Sequence, residues 1–576
     1  MIRKRCLSAA VSTAAALSLM ISSVPVCAEE SASAAFDALA DEFYWSLLEL
    51  VPTNLHFCES DQEDLPFEMT EPLGSFSESM EEEKELIRTI SDKLNAIAYE
   101  ELDSHQKQVY RNMQYFLDLE TASLDLPDYY ATLGPMNGLL TNTDTIISEY
   151  YIRNETDIEN YMVLLNDIPR FLDDVILELN YQESIGFAPS AYVYECALES
   201  REDMTELEEH PYLVSFLSNL EEASLSEDVA SSYTQQVRSI LSDTVLPAYE
   251  SFYDTLEEKS QTAGESRGLC SYDQGTEYYA ALIEMNTGCD MTPDEMYNYL
   301  QTKMAKDIGY MSRILFMNPS AIDQMESIEV PSNDPAEVLE LLKEKVLEEF
   351  PAIDHSEFTI SYLPESLEVE NLLAYYITPP NDLPSRNIIR VNRGTVGDDP
   401  ATLWTTLAHE GFPGHLYQTQ YVNQYLSPYP IESFLSSLGT TEGWASYVQG
   451  LSLEWAGVDE DVADLYWYNN TINMALSGIV DIGVNYKGWS VEDIGTFLGN
   501  YLEGIDEETC QDLFDTVASD PGAYLPYAVG YYQMADLFDS IRPNYASDRD
   551  MYTAFLNYSN LPFVLLKQYL GSDGSI

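Results

Sequence analysis

The sequence predicts a mainly α-helical protein with one small β-sheet placed just before the helices that carry its most suggestive residues. Three observations lead there. Apolar residues recur at three- and four-residue spacing through long stretches at both ends of the chain, the period of a helix with one buried face. Between residues 357 and 392 the pattern changes to short runs rich in aromatic and β-branched residues, separated by turns. Capping residues and first-turn prolines mark where helices begin. With 45% hydrophobic and 12% aromatic residues in 576 positions, the chain can bury a large core, and global disorder is excluded.

Residues 1–28 read as a secretory signal. Arg3-Lys4-Arg5 precede an apolar stretch from Cys6 to about Ile21, and Val26-Cys27-Ala28 ends the segment before Glu29-Glu30. Cleavage is expected after Ala28, giving a secreted protein. An uncleaved anchor and a lipid-anchored form at Cys27 are the alternatives; Val26 is larger than a lipidation motif prefers. No later stretch of 18 residues is both predominantly apolar and free of charge, so no membrane insertion is expected after signal cleavage.

Residues 29–265 are expected to form an N-terminal helical lobe, with helices over 32–51 (stopped by Pro52), 76–98, 104–120, 156–183 and 225–258. A weakly marked boundary near 260–270 (SQTAGESRG) leads into a second region, 266–576. Thr292-Pro293-Asp294-Glu295 starts a helix, with a capping threonine, proline in the first turn and acids at the positive helix end. That helix should reach about Phe316. Asp334-Pro335 opens another over 334–349. Strands are predicted over 357–363, 371–378 and 387–391, with turns at Pro364 and at Pro379-Pro380-Asn381-Asp382. Helices return near 400–425, 431–454, 460–487, 491–503, 523–541 and 561–570, and those within 400–455 are the candidates to carry a site.

The chain has 26 basic and 99 acidic residues, a net charge of −73. A field of that sign repels phosphate backbones and anionic lipid surfaces, which argues against nucleic-acid partners. Solubility of an exported protein is the plain reading of the charge; attraction of basic peptides or divalent cations is the sharper one. Outside the signal the cysteines are Cys58, Cys196, Cys270, Cys289 and Cys510. They are too few to staple a chain of this size. Export permits one or two disulfides, with Cys270 and Cys289 the nearest pair in sequence, and the absence of CxxC argues against a cysteine metal site.

Of six histidines, two fall in one short window, HEGFPGHLYQ at 409–418. In the HExxH arrangement, two histidines four apart share a helix face and bind zinc, while the adjacent glutamate reaches a water beside the metal and takes its proton. Here His409 and His415 are six apart. An ideal helix would leave their rings about 120° apart. Pro413 cannot donate to the carbonyl of His409, and Gly414 can adopt unusual backbone angles. A widened or bulged turn is therefore expected to swing His415 back toward His409. A catalytic zinc needs a third protein ligand. Glu442, which opens an apolar turn on a following helix, is the candidate.

These stretches resemble the large bacterial family known as domain of unknown function 885, whose members are similar to mostly helical gluzincin peptidases. The family pattern HExxPGHxxQ followed by EGWAxY is met by HEGFPGHLYQ and by EGWASY at 442–447. Further agreement lies at Glu277-Tyr278-Tyr279, Thr292-Pro293-Asp294-Glu295, Tyr375-Tyr376, Pro379-Pro380, Val391-Asn392 and Pro521-Gly522 with Tyr527 and Gly530, so that the resemblance covers most of 35–570. It implies a metallopeptidase-like fold, one zinc per chain on His409, His415 and Glu442, and Glu410 as general base. It also implies Gln418 as a group orienting a ligand, and Tyr527 as a donor to the developing oxyanion, although a packing role for Tyr527 is as plausible among 42 tyrosines. Two positions depart from the pattern: Gln449 stands where many members carry glutamate, and Phe538 where many carry arginine. The first alters charge beside the ligands; the second removes a partner for an acid or a substrate carboxylate.

The function expected from this reading is that of a secreted zinc-dependent hydrolase, a metallopeptidase acting on short peptides in a deep cleft. The strands at 371–378 and 387–391 would hold an extended peptide by edge pairing. Zinc is preferred over cobalt or manganese on ligand type and availability. The competing readings are a zinc hydrolase of a non-peptide amide or ester, and a non-catalytic binding protein that retains the site.

Overall fold

The structure is a computed structural model and describes residues 31–62, 65–75, 80–223, 225–354, 356–364, 372–396, 399–426 and 428–571. The signal expected over 1–28 lies outside the described residues, as does Asn371 at the start of the second predicted strand. The architecture is mainly α-helical with one three-stranded sheet.

Two apolar cores organise the helices. The first is drawn from residues between Phe36 and Leu256, for example Phe43 and Leu47 from helix Ala32–Leu50 and Phe171 and Val175 from helix Glu155–Ser184. The second runs from Leu269 to Leu570 and includes Leu300, Trp404, Leu407, Trp444 and Ile479. Each borrows from the other side. Ile431, Phe434 and Leu435 join the first core, and Tyr129 joins the second, so the two halves meet along a shared seam.

The helix starts follow the capping chemistry. Thr292 and Glu295 form a reciprocal capping box with Pro293 in the first turn, and the helix runs Pro293–Met317. Asp334 accepts from the N–H groups of Ala336 and Glu337 at the head of Pro335–Glu349. The long helix expected over 225–258 is instead Glu227–Ile240 and Leu246–Ser260 joined by one π-turn, Leu241–Val245, where Pro247 removes a donor from the ladder. Helices Leu139–Ser148, Ala191–Glu199, Pro211–Glu222, Glu507–Ser519 and Asp548–Leu556 were not anticipated. Three of them are started by a side chain that caps the third residue on: Ser190, Asp506 and Ser547.

Strands β1 (Thr359–Tyr362), β2 (Ala374–Ile377) and β3 (Ile388–Val391) lie in the order β1-β3-β2, with β3 parallel to β1 and antiparallel to β2. The central strand is buried throughout and carries Arg390. A buried guanidinium is tolerated only when paired. Arg390 Nε donates to Glu149 at 2.8 Å and an NH2 group to Asn219 at 3.1 Å, with Ser361 as a further partner, while the Tyr375 hydroxyl donates to Glu149 at 2.6 Å. This network ties the sheet to the N-terminal half.

No disulfide of the kind that export permits forms among the described residues: all five cysteines there, Cys270 and Cys289 included, are free thiols. The Cys270 thiol turns to the Val484 carbonyl at 3.3 Å, and Cys289 is buried in the second core with its thiol toward Thr287. No helix among the described residues is long and apolar enough to cross a membrane.

Candidate metal centre

Helix Pro400–Glu410 begins at Asp399, whose carboxylate accepts from the Ala401 N–H at 3.0 Å, with Pro400 in the first turn. Its face of Leu403, Trp404, Leu407 and Ala408 is buried, which sets His409 at the inner end of the last turn. The helix stops at Glu410, and a new one, His415–Tyr425, begins at His415 itself. Between them the Phe412–Pro413 peptide is cis, and the Gly414 N–H reaches back to the Ala408 carbonyl at 3.0 Å, six residues away instead of four.

The expected widened turn is therefore a complete break and restart. The role expected of Gly414 changes too. It has no positive φ; what it supplies is space. A Cβ at Gly414 would lie 1.7 Å from the His409 carbonyl oxygen, so only glycine lets the second helix start against the end of the first. The connection is clamped from the next helix, Leu438–Trp455, where the buried indole N–H of Trp444 donates to the Pro413 carbonyl at 2.9 Å.

The same helix presents Glu442. It crosses helix Leu525–Ile541 at glycine-to-backbone contact: a Cβ on Gly530 would sit 2.3 Å from the Gly439 carbonyl, and one on Gly443 2.5 Å from that of Gly530. The glycines of the EGWASY and Tyr527–Gly530 stretches thus interlock, and this close crossing brings Tyr527 beside Glu442.

His409 Nε2 and His415 Nε2 lie 3.1 Å apart, and Glu442 Oε2 is 3.3 Å from the first and 3.6 Å from the second. A tetrahedral zinc with bonds of about 2.05 Å requires ligand atoms about 3.3 Å apart, and the triangle matches that edge. Glu442 Oε2 is buried and lacks a hydrogen bond of ordinary geometry. Gln449 Oε1 lies 3.0 Å from His409 Nδ1. An amide oxygen can only accept, so Nδ1 carries the hydrogen and the Nε2 lone pair of neutral His409 points into the triangle. Two nitrogens and an anionic oxygen converging on one point are a cation's donor set.

The electrostatics agree. Burial works against a charged His409, yet the carboxylates of Glu442 and Glu410 hold its pKa up to about 9. Burial opposes ionisation of Glu442, and His415 and His409 nonetheless hold it well below the usual carboxylate range. Glu410 is not part of the triangle. Its Oε1 is 3.9 Å from His409 Nε2, and its Oε2 accepts the backbone N–H of Tyr376 on β2 at 2.9 Å. Tyr527 has its pKa raised well above the ordinary phenol value by Glu442, burial and Glu410.

In front of the triangle lies a cavity of about 450 Å³ walled by both halves of the molecule. Tyr129, Tyr130, Met136 and Asn137 form the N-terminal side; Tyr376, Tyr527 and Asp520 face them. Tyr527 is 39% exposed and lines this space. Asp520 binds the opposing loop directly, with Oδ2 accepting from the Met136 N–H at 3.0 Å and Oδ1 from the Asn137 N–H at 2.9 Å.

The structure thus brings together His409, His415, Glu442, Glu410 and Tyr527. Gln418 lines the cavity wall, and the amide in contact with His409 is that of Gln449. Phe538 is fully buried against Tyr447, Trp444 and Phe555 and is not among the residues that line the cavity. Edge pairing by the 387–391 strand is also overturned, because β3 is flanked on both sides; of the two strands expected to hold a peptide, β2 alone lies at an edge of the sheet. Gln449 was expected beside the ligands, though not as the partner of His409, and the role of Asp520 escaped the sequence. Gln449 had a signal, since seven residues from Glu442 is two helical turns on one face.

The model of a family described as "Bacterial protein of unknown function (DUF885)" matches residues 70–568. No curated protein matches the chain. A crystal structure of a "putative lipoprotein" from Colwellia psychrerythraea is similar with a TM-score of 0.80 at 18% identity, over 94% of this chain and 98% of that one. A second such protein, of unknown function, from Shewanella oneidensis aligns with a TM-score of 0.63 at 16% identity, over 92% of this chain and 99% of its own. At these identities the likeness concerns the fold.

Proposed function

The chain belongs to the DUF885 family of bacterial proteins, and starting from that membership we propose that it is an exported zinc-dependent hydrolase, a metallopeptidase that cleaves short peptides. The observation that carries the proposal is the triangle of His409 Nε2, His415 Nε2 and Glu442 Oε2, with sides of 3.1–3.6 Å, opening on a cavity beside a second carboxylate, that of Glu410. His409, His415 and Glu442 would hold a zinc ion, which would supply a Lewis acid and make a water beside it more acidic.

The remaining steps belong to the chain's own groups. Glu410, held by the Tyr376 N–H, accepts the proton of the attacking water and passes it to the leaving amine. Tyr527 keeps its proton, because Glu442, burial and Glu410 disfavour the phenolate, and so remains a donor to a carbonyl oxygen gaining charge. Gln449 fixes the ring of His409. The two-walled cavity suits a short, extended chain segment. Export is supported by the pattern of residues 1–28 and by the lipoprotein description of the two similar structures.

The test joins metal content with turnover of a short-peptide mixture. Glu410→Gln is expected to keep one zinc per chain and lose about 10²–10⁴ of the rate, while His409→Ala loses both. Unchanged hydrolysis in Glu410→Gln sinks the proposal.

A further inference from the structure

Within that peptidase reading, we infer that the site selects peptides that are uncharged or basic around the scissile bond and works against any substrate presenting a carboxylate there, whether an acidic side chain or a free C-terminus. The inference rests on what the cavity wall offers an anion. Among the described residues that line it there is no lysine and no arginine, and its acids are Glu410, Glu442 and Asp520. The guanidinium of Arg390, under the sheet, is committed to Glu149. A divalent cation at the histidines balances Glu410 and Glu442 and leaves Asp520 uncompensated.

Four of the neutral hydroxyls on the wall are committed as well. The hydroxyl of Tyr129 is given to the Asp273 carbonyl, that of Tyr130 to the Asn137 carbonyl, that of Tyr375 to Glu149 and that of Tyr376 to Asn387. The adjacent backbone N–H groups of Met136 and Asn137 would make an anion site at the far wall, but Asp520 already fills it with a carboxylate of the protein's own. A substrate carboxylate therefore meets negative charge with no lysine or arginine to balance it among the described lining residues, whereas a cation meets tyrosine faces and acids. The cleavage this favours is of internal or N-terminal bonds, not release of C-terminal residues.

The test uses zinc-loaded full chain and amidated hexapeptides with free N-termini that differ only in carrying Lys, Gln or Glu at the fourth position, plus the Gln peptide with a free C-terminal carboxylate. Expected values of kcat/KM fall at least tenfold from Gln to Glu and from amide to free acid, with Lys at or above Gln, and the spread narrows in 1 M salt. Calorimetric binding of the same peptides to Glu410→Gln should follow the same order without turnover. Leu438→Lys, at an exposed position on the cavity rim, should raise cleavage of the Glu peptide relative to Gln at least threefold. Zinc-dependent, Glu410-dependent cleavage indifferent to peptide charge overturns the selection alone. Cleavage of none of the peptides overturns the peptidase reading and this inference with it.

Discussion

Replacing Gly414 by alanine should disable zinc binding while leaving the fold in place. The added Cβ would start 1.7 Å from the His409 carbonyl oxygen and 2.4 Å from its carbonyl carbon. To open the first contact even to 3.0 Å, a distance real Cβ atoms rarely undercut, the two helix ends must part by about 1.3 Å. Ligand atoms tolerate about ±0.2 Å around their bond lengths, so a 3.1 Å separation of the imidazole nitrogens cannot survive that displacement. Loss of a partner outside the ligands typically costs ten- to a hundredfold in affinity. Displacing a ligand should exceed the upper end, a rise in zinc Kd of more than about a hundredfold, or about 2.7 kcal/mol. The assay is competition against a chromophoric chelator, with circular dichroism and thermal melting alongside. Gly309→Ala is the control: it lies inside helix Pro293–Met317 with nothing within 4 Å of the new Cβ, and it should bind zinc normally. A Gly414→Ala protein with the wild-type zinc Kd would refute the reasoning, because the tight restart would then not set the imidazole spacing.

Three other outcomes follow from the same geometry. Gln449→Leu removes the acceptor from His409 Nδ1 and should weaken zinc binding about ten- to a hundredfold, whereas Gln449→Glu should tighten it; equilibrium dialysis distinguishes the two. The metal-free His409 has a pKa of about 9 and so holds a proton at neutral pH that zinc must displace; apparent affinity should rise about tenfold per pH unit between 7 and 8.5, with one proton released in calorimetry across buffers of different ionisation enthalpy. By linkage, the stability that this raised pKa gives the metal-free protein is complete below the unfolded value near 6.5 and is lost as pH rises through 9, so zinc stabilises most on the alkaline side. Glu149→Ala strands the buried Arg390 and should cost about 3–5 kcal/mol in denaturant unfolding, while Glu149→Ala with Arg390→Met should recover much of it.

The histidine pair was legible because composition isolates it: few histidines exist, and two flank one glutamate across a proline and a glycine. That the turn there must be irregular was also legible, since proline removes a donor whatever the surroundings, although a widened turn and not a break was expected. Why the helix breaks was not legible. The constraint on Gly414 is a contact with a backbone oxygen five residues earlier, which exists only once the second helix has docked. Glu442 was placed by the family resemblance and only weakly by its own surroundings. The close crossing that seats it depends on Gly443 and Gly530, and glycine in a helix reads locally as a weakness, not as a contact. Whether the cysteines pair was not legible, because nearness in sequence says nothing of direction, and the thiols of Cys270 and Cys289 point to different carbonyls. Asp520 gave no sign, because its partners lie nearly four hundred residues away.

The metal triangle and the cavity in front of it have separate origins, and this bears on how the protein can change. Every group in the triangle and its supports, from Tyr376 through His409, His415, Glu442 and Gln449 to Tyr527, comes from the second half of the chain, fixed by a helix break and a glycine crossing within one core. The opposite wall comes from Tyr129 to Asn137 in the first half. The two halves are held in register by contacts that touch no ligand: Arg390 with Glu149, Asp520 with the loop at 136–137, and the Asn112 amide with the Leu435 carbonyl at 3.2 Å. Substitution at 129–137 should therefore alter which substrates enter while leaving zinc affinity alone, and substitution at Gly414 or Gln449 should do the reverse. Zinc affinity that moved with the N-terminal wall would mean the seam is part of the metal site and that the two halves act as one.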